Sequence, residues 1–168
     1  MAIIVEDGTV IASAESYITL AAADTYFTAH DDPTAWTGLT DALKESALKY
    51  ATRQLDGGYT WTGSLEDLTQ VLAWPRSGAY DNESRSIDLA TIPQAVKDAQ
   101  CELALFHADN PINTAHARGG KVLLQRAGPV AIEYEQGAPA APSLPIIARL
   151  LNGLGKRKGS AQGTLERA

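Results

Sequence analysis

The sequence predicts a mainly α protein: a small helical bundle of four to five helices, with one β-hairpin and a flexible C-terminal tail. Three observations carry this. Apolar residues recur at three- and four-residue spacing in several segments, the signature of a helix with one buried face. One segment, KVLLQRAGPVAIEY at 121–134, alternates in twos around Ala127-Gly128-Pro129, as a hairpin does. From Gly153 the chain reads GLGKRKGSAQGTLERA, glycine-rich, basic and poor in apolar residues. The expected division is a domain over 1–152 and a flexible basic tail over 153–168.

The elements follow in order. Residues 1–18 read as extended, with Ile3, Ile4 and Val5 separated from Val10 and Ile11 by a turn at Asp7-Gly8. Thr19 is a suitable N-cap for a helix over 19–29, whose apolar face holds Ala23, Tyr26 and Phe27. Pro33 ends that segment by disfavouring helix in the residue before it. A second helix starts near Thr40 and stops at Gly57-Gly58. Leu43, Ala47, Tyr50, Ala51 and Gln54 form its stripe, Leu48 and Leu55 its edge, and Lys44, Glu45, Lys49 and Arg53 its wet side. Ser64 with Asp67 suggests a cap for a short helix carrying Leu65, Leu68 and Leu72 to Trp74. Ser77 to Ala90 reads as a polar loop. Pro93 sits in the first turn of the strongest helix, where Val96, Ala99, Leu103 and Phe106 recur up to Ala108. After the hairpin and the linker at 136–143, a last helix runs from Leu144 to about Leu151.

With 168 residues, 45% of them hydrophobic, the chain can bury one sizeable core. No run is apolar and long enough to span a membrane, and the start does not read as a signal peptide. The single cysteine, Cys101, has no basic neighbour to activate it and is expected in the core. The net charge of −6 is unevenly spread: residues 1–84 carry −9 and residues 85–168 carry +3. A free nucleic-acid binder normally shows a basic surface, so this balance speaks against strong DNA affinity.

Candidate chemistry is sparse. His30-Asp31-Asp32 offers metal-ligand types, but adjacent side chains point apart, and a solvated turn is the plainer reading. His107 suits a helix C-terminus and His116 a polar loop beside Arg118. No nucleophile elbow, zinc-protease motif, Walker loop or dinucleotide fingerprint occurs, and Gly57-Gly58 and Gly119-Gly120 are too bare to cradle phosphate. The expectation is therefore no enzyme, no catalytic residue, no metal and no cofactor. Trp36, Trp61 and Trp74, with Tyr59 and Tyr80, could stack bases. Stacking sites also need a basic groove, and only Arg76 lies close by, so core packing is expected of the tryptophans. In the stretch LAWPR, Trp74 reads as a buried wedge and Pro75 as a helix stop. Arg76 reads as a bridge to an acidic group of its own or an adjacent subunit. The Lys156-Arg157-Lys158 cluster could meet phosphates or an acidic protein groove.

An ordered set of motifs extends the reading. It comprises Ser16-Tyr17-Ile18, Ala22-Ala23-Asp24-Thr25-Tyr26-Phe27, the run Ala47 to Asp56, Tyr59-Thr60-Trp61-Thr62-Gly63 and Gln70 with Leu72 to Arg76. It continues with Ile92-Pro93, Val96 and Ala99, and ends with Gly128-Pro129-Val130 and Glu133-Tyr134. The set spans about residues 14–151 and resembles a tailed-phage family labelled DnaT-like single-stranded-DNA-binding proteins. Several members of that family look like head–tail connector, or adaptor, subunits. The resemblance implies a structural virion protein, made in the host cytoplasm and placed at the head–tail neck. It would form a ring, usually of twelve copies, between the portal protein and a tail or stopper protein. Genomic DNA would pass through the channel without sequence-specific binding, and no membrane would be involved. On this reading the portal-binding element is the C-terminal segment with Arg149, Lys156, Arg157 and Lys158. The competing functions are single-stranded DNA binding in replication, as the family label suggests, and a small assembly chaperone.

Overall fold

The structure, a computed structural model, describes residues 3–109, 122–126, 131–134 and 144–158; in the two strands within 122–134 it describes the backbone. The chain divides into two compact units, Met1–Asn110 with Ile146–Ala168, and Pro111–Pro145. The architecture is mostly helical, with five helices and three two-stranded sheets among the described residues.

In the larger unit, α1 (Leu20–Thr28) starts where Thr19 was expected to cap it: the Thr19 hydroxyl accepts from Ala22 N at 3.1 Å. A four-residue helix, α2 (Thr34–Thr37), follows Pro33 and turns Trp36 into the core, where its ring stacks on Phe27 at 4.5 Å. Thr40 caps α3 (Asp41–Gly58). Its buried stripe is Lys44, Ala47, Leu48, Ala51, Thr52 and Leu55, rotated from the expected one, and Leu43 is exposed. Lys44 leaves the wet side because Asp24 meets its ammonium at 2.9 Å and the Trp36 ring lies under it. The same Asp24 oxygen accepts from the Trp36 indole at 2.7 Å, so one carboxylate fixes α1, α2 and α3 together.

Three short strands and the longest irregular stretch come next. β1 (Tyr59–Trp61) follows α3 directly, β2 is Ser64–Leu65, and β3 is Arg76–Ser77, antiparallel to β2. The helix expected through Leu65, Leu68 and Leu72 does not form. Local hydrogen bonds compete with it: Asp67 Oδ1 accepts from both the amide and the hydroxyl of Thr69, and the Gln70 amide donates to Leu72 O and Pro75 O. Gly63 is required there, because its φ is +69° and a Cβ would stand 2.4 Å from Ser77 O.

α4 (Gln94–Asp109) packs along α3. Ala47, Ala51, Cys101 and Ala104 are all buried in one cluster with Leu48 and Phe27, and such small side chains let helices approach closely. α5 (Pro145–Leu150) buries Ile147, with Leu151 and Leu154 buried after it. The chain then forms β6 (Gly155–Arg157), antiparallel to β1 with Tyr59 opposite Arg157 and Trp61 opposite Gly155. The first residues of the expected tail thus pair as a strand. Residues 155–157 belong to the folded unit, because Leu154 is buried and its carbonyl accepts from Thr62 N at 2.9 Å. Residues 159–168 lie outside the described residues.

The smaller unit contains the expected hairpin: β4 (Val122–Arg126) pairs antiparallel with β5 (Ala131–Tyr134), with an irregularity between Val122 and Leu124. The linker at 136–143, His116 and Arg118 fall outside the described residues.

Candidate functional site

The LAWPR stretch forms a corner built by three parts of the chain. Trp74 is 0% exposed, and Pro75, joined to it by a cis peptide, is also fully buried. The Trp61 ring meets Trp74 edge-to-face at 5.8 Å. Tyr17, from the segment before α1, donates its hydroxyl to Asp56 Oδ1 at 2.6 Å and accepts from Ala73 N at 3.0 Å and Trp74 N at 3.3 Å. Ala73 N also reaches Asp56 Oδ2 at 3.0 Å. Burial pushes the Asp56 carboxyl above its ordinary value, against the pull of the Tyr17 and Ala73 hydrogen bonds and of the Lys158 and Arg76 charges. Burial, then the Asp56 charge, raise the Tyr17 phenol well above its own.

Arg76 is used differently from the expectation. Among the described residues of its own chain it meets backbone carbonyls and no carboxylate. Its Nε donates to Thr62 O at 2.6 Å, Nη1 to Ala73 O at 3.0 Å and Nη2 to Gly63 O at 2.7 Å. The planar fork thus closes the base of the whole 62–76 excursion, a task for which its fixed donor geometry is suited. Lysine offers one point charge and cannot span three carbonyls. Arg76→Lys is therefore expected to cost about 1–2 kcal/mol in urea denaturation, and a variant as stable as the natural chain would show the clasp to be dispensable.

None of the three tryptophans offers a ring face: Trp36 and Trp74 are fully buried and Trp61 is 8% exposed. Among the aromatics suggested for stacking, Tyr59 is half-buried and Tyr80 exposed. Lys156, Arg157 and Lys158 are exposed on and just after β6, and Arg149 is exposed on α5. Lys158 reaches back to Asp56 O at 3.5 Å. Arg149 lines a groove of about 510 Å³ with Arg85, Ile87, Asp88, Leu150 and Leu154. The C-terminal cations therefore stand on a structured edge, beside Tyr59 and not far in sequence from the groove wall.

The remaining candidates have local roles. Asp32 accepts from Thr34 at the start of α2, and His30 lies 3.6 Å from Glu102. His107 stacks on Tyr50 at 3.7 Å, and burial lowers its pKa. Cys101 is buried, which raises its thiol far above the usual range. Among the described residues no group of three metal-ligating side chains forms, and no helix is long and apolar enough to cross a membrane. The sequence reading missed the Tyr17–Asp56 pair and the exposure of the 62–69 loop. Neither leaves a local signal, since one joins residues far apart in the chain and the other carries helix-like leucine spacing.

Fold and surface together define a small, mostly helical domain with a clamped tryptophan corner and a cationic strand. Its whole length, residues 1–168, matches the model of the family described as "Putative DnaT-like ssDNA binding protein", and the chain belongs to that family. No curated protein and no solved structure matches it.

Proposed function

We propose that the chain is a non-catalytic assembly subunit, a head–tail connector that forms a ring under a portal protein and joins it to a tail or stopper protein. The observation that carries this reading is how the surface residues are spent. Trp61, Trp74 and Arg76, the groups a nucleic-acid grip would use, are consumed inside the subunit. The cations left exposed near the C-terminus, Arg149, Lys156, Arg157 and Lys158, sit on ordered backbone suited to docking an acidic protein groove. The acidic first half of the chain suits a channel wall along which DNA slides without sticking. The resemblance of the ordered motifs to connector subunits is the other support. The family description speaks for a different activity.

Deleting the C-terminal segment would strip Leu154 and β6 from the fold, so charge reversal is the cleaner test. Changing Lys156, Arg157 and Lys158 to glutamate is expected to leave the melting temperature within a few degrees and to abolish portal attachment. Electron cryomicroscopy of the portal vertex gives the complementary answer: a ring of this chain below the portal is expected. Absence of the chain from the particle, or full attachment by the reversed variant, overturns the assignment.

The second reading, single-stranded DNA binding, is favoured by the family description and by one observation, the juxtaposition of Tyr59 with Arg157 across β1 and β6. An aromatic beside cations is the minimum a stacking site needs. A steep fall of single-strand affinity with salt, lost on reversing the same three cations, would support it.

A further inference from the structure

We propose that the loop between β2 and β3 is a docking knob for a second copy of this chain, seated in that copy's groove between α3 and the 13–15 segment. Residues 62–69 are all exposed, with Leu68 at 99%, and Leu65 at 44% and Val71 at 57% flank the tip. Yet the loop is not loosely held. The Arg76 clasp, the Asp67–Thr69 turn, the Gln70 amide and the β2–β3 pairing fix its backbone. An ordered loop that presents leucines to water has already met the conformational cost of binding, and gains from being covered.

The occupant follows from charge and shape. Glu66 and Asp67 immediately precede Leu68, so the knob is apolar at its tip and acidic on the side before it. The groove, about 500 Å³, has Ala14 and Leu72 in its apolar lining and Lys49 and Arg53 from α3 beside them. Its two acids are already engaged: Glu15 meets Lys49 at 2.8 Å, and Asp56 holds Tyr17 and Ala73. Arg53, whose charge also reaches Glu15, is exposed and can meet a second, incoming carboxylate. The end of the chain's own loop, Val71 and Leu72, forms one wall of the groove, while Leu68, almost wholly exposed, stays out of it.

The proposal names the contact by which copies associate and so rests on the self-association the connector reading needs, but it is testable without portal or virion. Sedimentation velocity of the full chain over rising concentration, at low salt, is the experiment. The natural chain is expected to self-associate. Leu68→Glu is expected to weaken association about tenfold or more without moving the melting temperature, because the side chain touches nothing in the free subunit. Arg53→Glu is expected to weaken it too, and adding Glu66→Arg to that variant, which leaves the Asp67–Thr69 turn intact, to restore it. A natural chain that stays monomeric at every concentration, or association indifferent to Leu68→Glu, overturns the contact. A portal-vertex ring with Leu68 facing solvent overturns the contact and leaves the connector reading standing. A closed dimer in which each loop fills the other's groove upholds the contact and counts against the ring.

Discussion

Trp74→Ala is expected to destabilise the protein by about 3–5 kcal/mol. The indole is 0% exposed and packs edge-to-face on Trp61, in a corner whose backbone is held by Tyr17 and Asp56. That backbone is over-determined, so it cannot collapse into the space an alanine leaves, and the upper part of the range applies. The indole N–H has no hydrogen-bond partner among the described residues, so the loss is one of packing and burial, with no orphaned acceptor added. Urea denaturation should show a lower midpoint with an unchanged slope, and the melting temperature should fall by roughly 10 °C or more. Leu68→Ala, at a 99% exposed position, is the matched control and should shift stability by less than about 0.5 kcal/mol. A Trp74→Ala loss near that of the control would mean that the corner is not part of the core, and the docking loop it supports would then have no rigid base.

The corner also shows where sequence reasoning reaches and where it stops. Trp74 and Pro75 announced themselves, because a large aromatic before proline has few uses other than a packed, non-helical turn. The partners of Arg76 did not, since backbone carbonyls at Thr62, Gly63 and Ala73 carry no mark in the sequence. α1, α3, α4 and the β4–β5 pair were legible from threonine caps and from period, both of which are local properties. α2 was too short to show a period. β6 was hidden for a different reason. Gly155-Lys156-Arg157 has no strand propensity, and its pairing is decided by β1 almost a hundred residues earlier together with the burial of Leu154. The same limit moved Lys44 into the core. Its charge reads as surface until Asp24 and Trp36, from other helices, supply the counter-charge and the ring. The leucines of the 65–72 loop misled in the opposite sense. Their spacing fits a helix, yet Asp67, Thr69, Gln70 and Arg76 give the backbone better local partners, and two of the three leucines are left facing water.

Gln100→Leu is the second large effect expected, a loss of about 2–3 kcal/mol despite nearly conserved volume. Gln100 sits in α4 at 0% exposure and uses both ends of its amide. Oε1 accepts from Tyr17 N at 3.0 Å, and Nε2 donates to Ser16 Oγ at 2.6 Å and Leu48 O at 3.1 Å. Ser16 Oγ keeps its bonds to Ile18, and Leu48 O keeps the Thr52 hydroxyl, so neither is orphaned by leucine. Tyr17 N is, and a buried amide without an acceptor is the costly case. Hydrogen exchange at the Tyr17 amide should accelerate alongside the fall in stability. Gln100→Glu separates this account from simple packing. It restores an acceptor for Tyr17 N but buries a carboxyl, whose folded-state pKa must rise above its unfolded value because burial favours the neutral form. Relative to the natural chain, that variant should therefore gain stability as the pH falls from neutral into the ordinary carboxylate range, and lose it again as the pH rises through the raised value. Leucine should show no such pH dependence. If both variants matched the natural chain, the segment before α1 would not be tied to α4 through this amide. Tyr17 would then hold the Trp74 corner from an unanchored strand, which its full burial argues against.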